Sequence, residues 1–304
     1  MPKKGLFKMT SILTNNSAMA ALQTLRSVNN NLSDTQSAVS SGLRVGKAAD
    51  NAAYWSIATT MKSDNGALSA VSDALGMGAA KVDTAYTAVQ SSIDVVSEIK
   101  AKLVAATEDG VDKGKINDEI KQLQQQLKSI SASASFNGEN WVSSSVGQTM
   151  SVVSSFIRTA GGVSVSTSGY SALADDLLFS DDQTGILDRP GSGTLITDSI
   201  SEFSITSTDT KGAIDELITD AESALKSMTS LGSKLGSLQK GIDLQTDFVS
   251  KLSDSIDSGV GRLVDADMEE ESSKLSALQT QQQLAVQSLS IANSSSQNIL
   301  SLFR

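Results

Sequence analysis

Ala18-Met-Ala-Ala-Leu-Gln-Thr-Leu-Arg-Ser-Val-Asn-Asn-Asn-Leu-Ser-Asp-Thr-Gln-Ser-Ala-Val-Ser-Ser-Gly42 and Leu275-Ser-Ala-Leu-Gln-Thr-Gln-Gln-Gln-Leu-Ala-Val-Gln-Ser-Leu-Ser-Ile-Ala-Asn-Ser-Ser-Ser-Gln-Asn-Ile-Leu-Ser-Leu-Phe303 decide the architecture. In the first, one heptad register reads Ala18, Ala21, Leu25, Val28, Leu32, Thr35, Val39 and Gly42. In the second it reads Leu275, Leu278, Gln282, Ala285, Leu289, Ala292, Ser296, Ile299 and Phe303. Steps of three and four residues mark a helix that presents one stripe to a partner. Both stretches are almost uncharged. From Met9 to Leu43 the only charges are Arg26 and Asp34, and from Leu275 onward the only one is Arg304. A helix in water normally carries charge on its outer face. The outer faces of these two are therefore expected to meet other protein.

Two longer heptad runs lie between them. One is Leu68, Val71, Leu75, Gly78, Val82, Ala85, Val89, Ser92, Val96, Ile99, Leu103 and Ala106. The other is Ile214, Leu217, Ala221, Ala224, Met228, Leu231, Leu235, Leu238, Ile242, Gln245, Val249, Leu252 and Ile256. Neither contains proline, and both carry ordinary charges such as Asp73, Lys81, Asp94, Lys226, Lys234 and Asp247. They predict an intramolecular bundle with one wet face. Glu108-Asp-Gly110 and Lys113-Gly114 interrupt the first run; Ile116, Ile120, Leu123, Leu127 and Ile130 then predict an antiparallel return helix. Asn137-Gly138 signals a tight turn, and residues 141–207 alternate Ser and Thr with Val, Ile and Phe as short strands do. The N-terminal helices are expected to pair with the C-terminal ones, with the middle of the chain as an outward insertion.

Composition narrows the function. At 304 residues the chain has room for two domains. Aromatics are only 4%, which suits helices packed by aliphatic side chains. A net charge of −10 with no basic stripe argues against nucleic acid as a partner. There is no Cys and no His, which removes disulfides, thiolate chemistry, Ser–His–Asp triads and most transition-metal sites. No catalytic, cofactor-binding or metal-ligating set is expected, and the chain does not read as an enzyme. Lys3, Lys4 and Lys8 with Ala18-Met-Ala20 imitate a secretion signal, but Thr14-Asn-Asn-Ser17 interrupts its apolar segment. No stretch reaches the ~20 apolar residues of a membrane span, so no membrane partner is expected.

Four stretches resemble a known family. Ser40-Ser-Gly-Leu-Arg-Val-Gly-Lys-Ala-Ala-Asp-Asn-Ala-Ala-Tyr-Trp-Ser-Ile-Ala58 is similar to the most characteristic motif of bacterial flagellins, and Ser11-Ile-Leu-Thr-Asn-Asn-Ser-Ala-Met-Ala-Ala-Leu22 matches upstream of it. Asp265-Ala-Asp-Met-Glu-Glu270 and Gln297-Asn-Ile-Leu-Ser-Leu-Phe-Arg304 resemble the opening and close of the flagellin tail. The order is the family's, and the Asn-Ala-Ala-Tyr-Trp variant with a short insertion looks most like alphaproteobacterial flagellins. The family usually begins near Met9, so residues 1–8 reflect an upstream start or added residues.

The resemblance implies a mainly α fold with a small β-rich insertion, a long antiparallel bundle of paired N- and C-terminal helices. The terminal core would be 1–45 with 262–304, the surrounding bundle 46–142 with 208–261, and the outward insertion 143–207. It implies a structural subunit that polymerises into the helical flagellar filament and leaves the cell unfolded through the flagellar type III channel. Leu25, Val28, Leu32, Val39, Leu275, Leu278, Leu289, Ile299 and Phe303 become candidate polymerisation residues. Ser41, Gly42, Arg44, Gly46, Asp50 and Asn51 belong to the family's connector motif, with Gly42 and Gly46 bracketing a non-helical link. Partners would be further copies, other flagellins, an export chaperone, the hook–filament junction protein and the filament cap, in an extracellular filament. A junction protein shares the terminal helices but not so close a match at Ser40–Ala58 and the tail. Many flagellins engage a vertebrate Toll-like receptor through an Arg-rich helix. Aligned on Leu103, this chain has Ile99 and Ala101 where those arginines fall and Glu119 at a supporting acidic position, which implies weak activation.

Other features read more plainly. Asp175-Asp176 and Asp181-Asp182 lack the alternating ligand spacing of a calcium loop and read as solvated acids. Glu269-Glu-Glu271 reads as a first-turn cluster favoured by the helix dipole. Trp55 and Trp141 are expected to pack at domain junctions. The Ser/Thr-rich middle fits glycosylation and solvated strands equally well.

Overall fold

A computed structural model of the chain describes residues 15–159 and 162–301, with side chains as far as Ser294. Five helices dominate: α1 Asn16–Ser41, α2 Ala52–Ala106, α3 Lys113–Ser133, α4 Lys211–Val264 and α5 Met268–Ser301. The chain divides into two compact units, one reaching to Asp64 and resuming at Ser255, the other spanning Asn65–Asp254. The expected boundaries at 45/46 and 261/262 fall inside the first unit. The reason is a small apolar cluster of Val45, Ala58, Val260 and Val264, with Leu43, Met61, Ile256 and Leu263 around it, which ties the start of α2 and the end of α4 to the connector.

In the second unit the heptad runs become a core. Along α2, Val82, Val96, Ile99, Leu103 and Ala106 are fully buried, and along α4 so are Ile214, Leu217, Ala221, Met228 and Leu235. The helices are antiparallel: Lys100 of α2 pairs with Glu222 of α4, and Asn65 accepts from the Ser253 hydroxyl. α3 turns back along α2 as expected, with Lys102–Glu119 at 2.6 Å. It begins three residues before the expected Ile116, because the Asp112 carboxylate caps it, accepting from the Gly114 and Lys115 amides at 3.0 and 3.3 Å.

Residues 134–210 fold onto this bundle. Asn137 and Gly138, both at positive φ, close a hairpin of β1 (Ser135–Phe136) and β2 (Glu139–Asn140). β3 (Ser143–Ser144) pairs in parallel with β6 (Phe179–Ser180), and the long hairpin of β4 (Thr149–Thr159) and β5 (Gly162–Ser171) carries a bulge between Val153 and Ser155. β4 sits against α2 at Gly78, where a Cβ would lie 1.9 Å from a Val152 methyl. The segment after β6 is held by side chains of the bundle. Buried Gln124 donates to the carbonyls of Ile200 and Phe203 at 3.1 and 3.0 Å, and Asn117 accepts from the Ile205 amide at 3.0 Å. Leu177, Leu178, Leu187 and Phe203 are fully buried, so residues 143–207 contribute to the core of this unit.

Trp141 is buried edge-on against Tyr170, ring centres 6.3 Å apart. Burial, with the Asp176 carboxylate nearby, pushes the Tyr170 hydroxyl up to about 12. The acidic pairs are engaged within the fold: Asp175 with Arg189 at 2.7 Å, Asp176 with Lys234, and Asp181 with the Ser145 hydroxyl. Among the described residues no group of three or more His, Cys, Asp or Glu could hold a metal ion, and no described helix is long and apolar enough to cross a membrane.

Candidate functional site

The first unit is built from α1 and α5. Asn15 caps α1, accepting from the Ala18 amide at 3.0 Å, while its own amide group donates to the Ala292 carbonyl at 2.9 Å. Gln282 donates to Asn29 at 2.8 Å, and Leu43 bridges Asp265 in antiparallel pairing. The start of α1 therefore lies beside the far part of α5, and the two run antiparallel. Along α1 the least exposed residues include Ala18, Ala21, Leu25, Val28, Leu32, Thr35 and Val39; along α5 they include Leu275, Leu278, Gln282, Ala285, Leu289 and Ala292. These are the two heptad registers. They face each other.

That placement settles where the candidate polymerisation residues sit. Leu25, Val28, Leu32, Val39, Leu275, Leu278 and Leu289 line the seam inside one chain. The side chain of Ile299 and the whole of Phe303 lie outside the described residues. Heptad spacing selects a partner helix, and the chain supplies that partner itself. The outside of the pair is open: Met19 is 61% exposed and Ile291 68%, with Leu22, Leu284 and Val286 exposed as well. Sequence periodicity passed over these five because they fall off the register.

The seam is thin. Its most buried apolar residues, Val28, Leu278 and Ala285, keep 8, 9 and 9% of their surface, and the polar Thr35 and Gln282 occupy seam positions. Two helices enclose less apolar surface than three, so each side chain yields less of the ~25 cal/mol per Å² gained on burial.

The connector is orderly. Gly42 ends α1 at φ 71°, its amide donating to the Ala38 carbonyl at 2.8 Å, a left-handed cap that other residues adopt with strain. The Ser41 hydroxyl accepts from the Leu43 amide. The amides of Arg44 and Val45 donate to the Val264 carbonyl at 2.7 and 3.1 Å, Ala266 donates back to Gly42, and the Arg44 guanidinium reaches the Leu263 carbonyl. Asp50 accepts from the amides of Gly46 and Lys47 at 3.0 and 3.1 Å, and Asn51 caps α2 at the Tyr54 amide. Every residue singled out in the motif thus shapes the link. On the other side Asp267 caps α5, accepting from the amides of Glu269 and Glu270. Lys274 pairs with Glu271 at 2.9 Å, and that hydrogen bond holds its ammonium above the usual range.

The receptor-aligned residues lie in the second unit. Ile99 and Leu103 are fully buried, Ala101 is exposed, and Glu119 hydrogen-bonds Lys102, raising the Lys102 ammonium above its usual value.

Comparison with known proteins decides the identity. Residues 12–146 match the bacterial flagellin N-terminal helical region and residues 218–303 the bacterial flagellin C-terminal helical region. The chain belongs to the bacterial flagellin family. It is 49% identical to Flagellin A of Rhizobium meliloti (strain 1021) over 97% of this chain and 100% of that protein. It is 46% identical to the Brucella melitensis flagellin with the same coverages. Among solved structures, a Bacillus cereus flagellin aligns with a TM-score of 0.41 at 16% identity, covering 57% of this chain and 86% of that one. As a flagellin it is a structural subunit of the extracellular flagellar filament, polymerising with its own copies and with other flagellins, and it is not an enzyme. Between the two matched regions lie residues 147–217, which include the β4–β5 hairpin.

Proposed function

We propose that the outer faces of α1 and α5 are the surfaces through which copies of this flagellin assemble, and that the pair becomes fully ordered only there. The observation that carries this is the exposed, nearly chargeless outside of the pair: Met19, Leu22, Leu284, Val286 and Ile291 lie open, and α1 has only Arg26 and Asp34 as charges. Solvated helices do not keep such faces. The seam residues act one step earlier, by holding α1 to α5. A thin seam offsets little of the ordering entropy of roughly 1–2 kcal/mol per residue, which suits a chain that travels unfolded through the type III channel. An export chaperone, the junction protein and the cap are the partners this route requires.

Ile291→Asp is the test. An exposed side chain changes to a charge at little cost to the free subunit, whereas burial in a filament would strand that charge. Sedimentable filaments are expected to disappear while the helical signal of the subunit persists; normal filaments from Ile291→Asp would overturn the assignment.

We further propose weak activation of the vertebrate Toll-like receptor. Of the aligned positions, Ile99 and Leu103 are sealed in the core and Ala101 offers no guanidinium. A receptor reporter cell responding at full strength to purified subunit would contradict this.

A further inference from the structure

Asn-Gly occurs twice in the chain, at Asn65-Gly66 and Asn137-Gly138, and the fold treats the two pairs differently. In this dipeptide the glycine amide nitrogen can attack the side-chain carbonyl carbon before it, since glycine brings no Cβ to obstruct the approach. A Cβ built at either glycine meets nothing within 4 Å, so open space does not separate them. Hydrogen bonding does. Asn65 is half-buried inside α2, and its side-chain carbonyl accepts from the Ser253 hydroxyl. The Gly66 amide lies in the same helix ladder, donating to the carbonyl four residues back. Asn137 and Gly138 are exposed at the tip of the β1–β2 hairpin, at φ 52° and 84°. Among the described residues neither the Asn137 side chain nor the Gly138 amide has a hydrogen-bond partner. Both reacting groups are free there.

We propose that Asn137 is a site of spontaneous deamidation in the folded chain, and that the fold shields Asn65 from the same reaction. The Gly138 nitrogen gives its proton to hydroxide and bonds to the Asn137 Cγ. The Cγ–Nδ2 bond breaks, the nitrogen leaves as ammonia, and a succinimide ring closes. Water then opens the ring at either carbonyl. Opening at Cγ leaves aspartate; opening at the backbone carbonyl leaves isoaspartate, in which the chain runs through Cβ and Cγ. Amide and water become carboxylate and ammonium, with no oxidant, reductant or enzyme. Ring closure needs the turn to open for a moment. At Asn137 that breaks a ladder of two residue pairs, Ser135 with Asn140 and Phe136 with Glu139, whereas at Asn65 it breaks the interior of a 55-residue helix. Short two-stranded ladders open readily and helix interiors far less. The Lys81–Glu139 ion pair at 2.7 Å braces the ladder from α2, and with Glu139 half-exposed it holds only weakly. Isoaspartate adds a backbone atom to the turn, so the β1–β2 register loses its closure. The change accumulates with time in each folded copy.

The test incubates the folded full chain in mildly alkaline buffer and follows its peptides by mass spectrometry, with chromatography to separate aspartyl from isoaspartyl forms. The Asn137 peptide is expected to gain the acid form at least about tenfold faster than the Asn65 peptide. Isoaspartate should be among its products, and conversion should slow in mildly acidic buffer, where less of the glycine amide is deprotonated. In denaturant the two peptides should convert within about threefold of each other, since the dipeptide is the same and the fold is gone. Asn137→Gly keeps a residue suited to positive φ and should remove the acid gain from that peptide. The proposal falls if Asn65 converts as fast as Asn137 in the folded chain, or if Asn137 yields aspartate without isoaspartate. It falls also if Asn65 stays slow in denaturant, because the shield would then not be the fold. Acid gain that persists in Asn137→Gly would place the reaction at Asn140 instead. If neither peptide of the folded chain converts while both do in denaturant, the turn is closed to the reaction and the proposal is overturned.

Discussion

The α1–α5 pair and the α2–α3–α4 bundle use the same heptad spacing and finish differently. In the bundle, Leu231, Leu235, Ile99 and Leu103 are at most 1% exposed, and charges such as Lys100, Lys102, Glu119 and Glu222 occupy the wet side, paired with one another. In the pair the seam stays partly open and the outside carries apolar residues where charges should be. Heptad spacing alone says only that a helix has a partner. Whether the partner suffices shows in the face that points away from it. A charged outer face suits an element complete in itself; the chargeless face of the pair is what the proposed assembly surface rests on.

The largest expected effect breaks the bundle. Leu231→Ala removes a fully buried side chain and should lower its unfolding free energy by about 2–5 kcal/mol, measured by denaturant titration of the subunit. A loss below ~1 kcal/mol would mean that this core is not the rigid half of the contrast. Next is Gln124→Leu, which leaves the Ile200 and Phe203 carbonyls without their donor and should cost about 1–3 kcal/mol in the same titration. The matched change in the pair is smaller. Leu32→Ala should alter the main unfolding transition of the subunit by less than ~1 kcal/mol, since Leu32 is only half-buried, while still raising the critical concentration for assembly. A large loss in the isolated subunit would erase the distinction between the two regions.

The smallest effect concerns pH and only the bundle. The Glu216 carboxylate accepts from the Leu195 amide at 2.8 Å and from the Thr194 hydroxyl at 2.9 Å, and these bonds hold it below its ordinary value of 4.5. A depressed folded value means the grip is complete above the unfolded value and is lost as pH falls below it. Limited proteolysis within 192–196 should therefore quicken on acidification below about pH 4.5, and Glu216→Gln should show that faster cleavage at neutral pH. Cleavage rates independent of pH would remove Glu216 as the clamp.

Much of this architecture was legible because it is local. The runs from Leu68 and Ile214 name the buried faces of α2 and α4 nearly residue for residue, and Asn137-Gly138 places the turn it encodes. The motif glycine Gly42 marks the end of α1 for a reason that any glycine at a left-handed cap shares. Non-local and polar features were not legible. Asn117 and Gln124 read as surface residues of an amphipathic helix, and only the backbone of residues 200–205 folding over them gives them buried partners. The exchange between Gly42–Val45 and Val264–Ala266 joins segments some two hundred residues apart. The helix pair was legible in kind, its open faces less so. The lack of charge singles out α1 and α5, the register picks out their inner seam, and Met19, Leu284 and Ile291 are marked only by their exposure in the folded chain.

Hydrogen exchange with mass spectrometry, run on free subunit and on assembled filament, tests the central claim most directly. Amides of α1 and α5 should exchange rapidly in the subunit and become strongly protected in the filament, whereas those of α2, α3 and α4 between Asn65 and Asp254 should be protected alike in both. Equal protection of α1 and α5 in subunit and filament would contradict the account, because the pair would then be complete without neighbours.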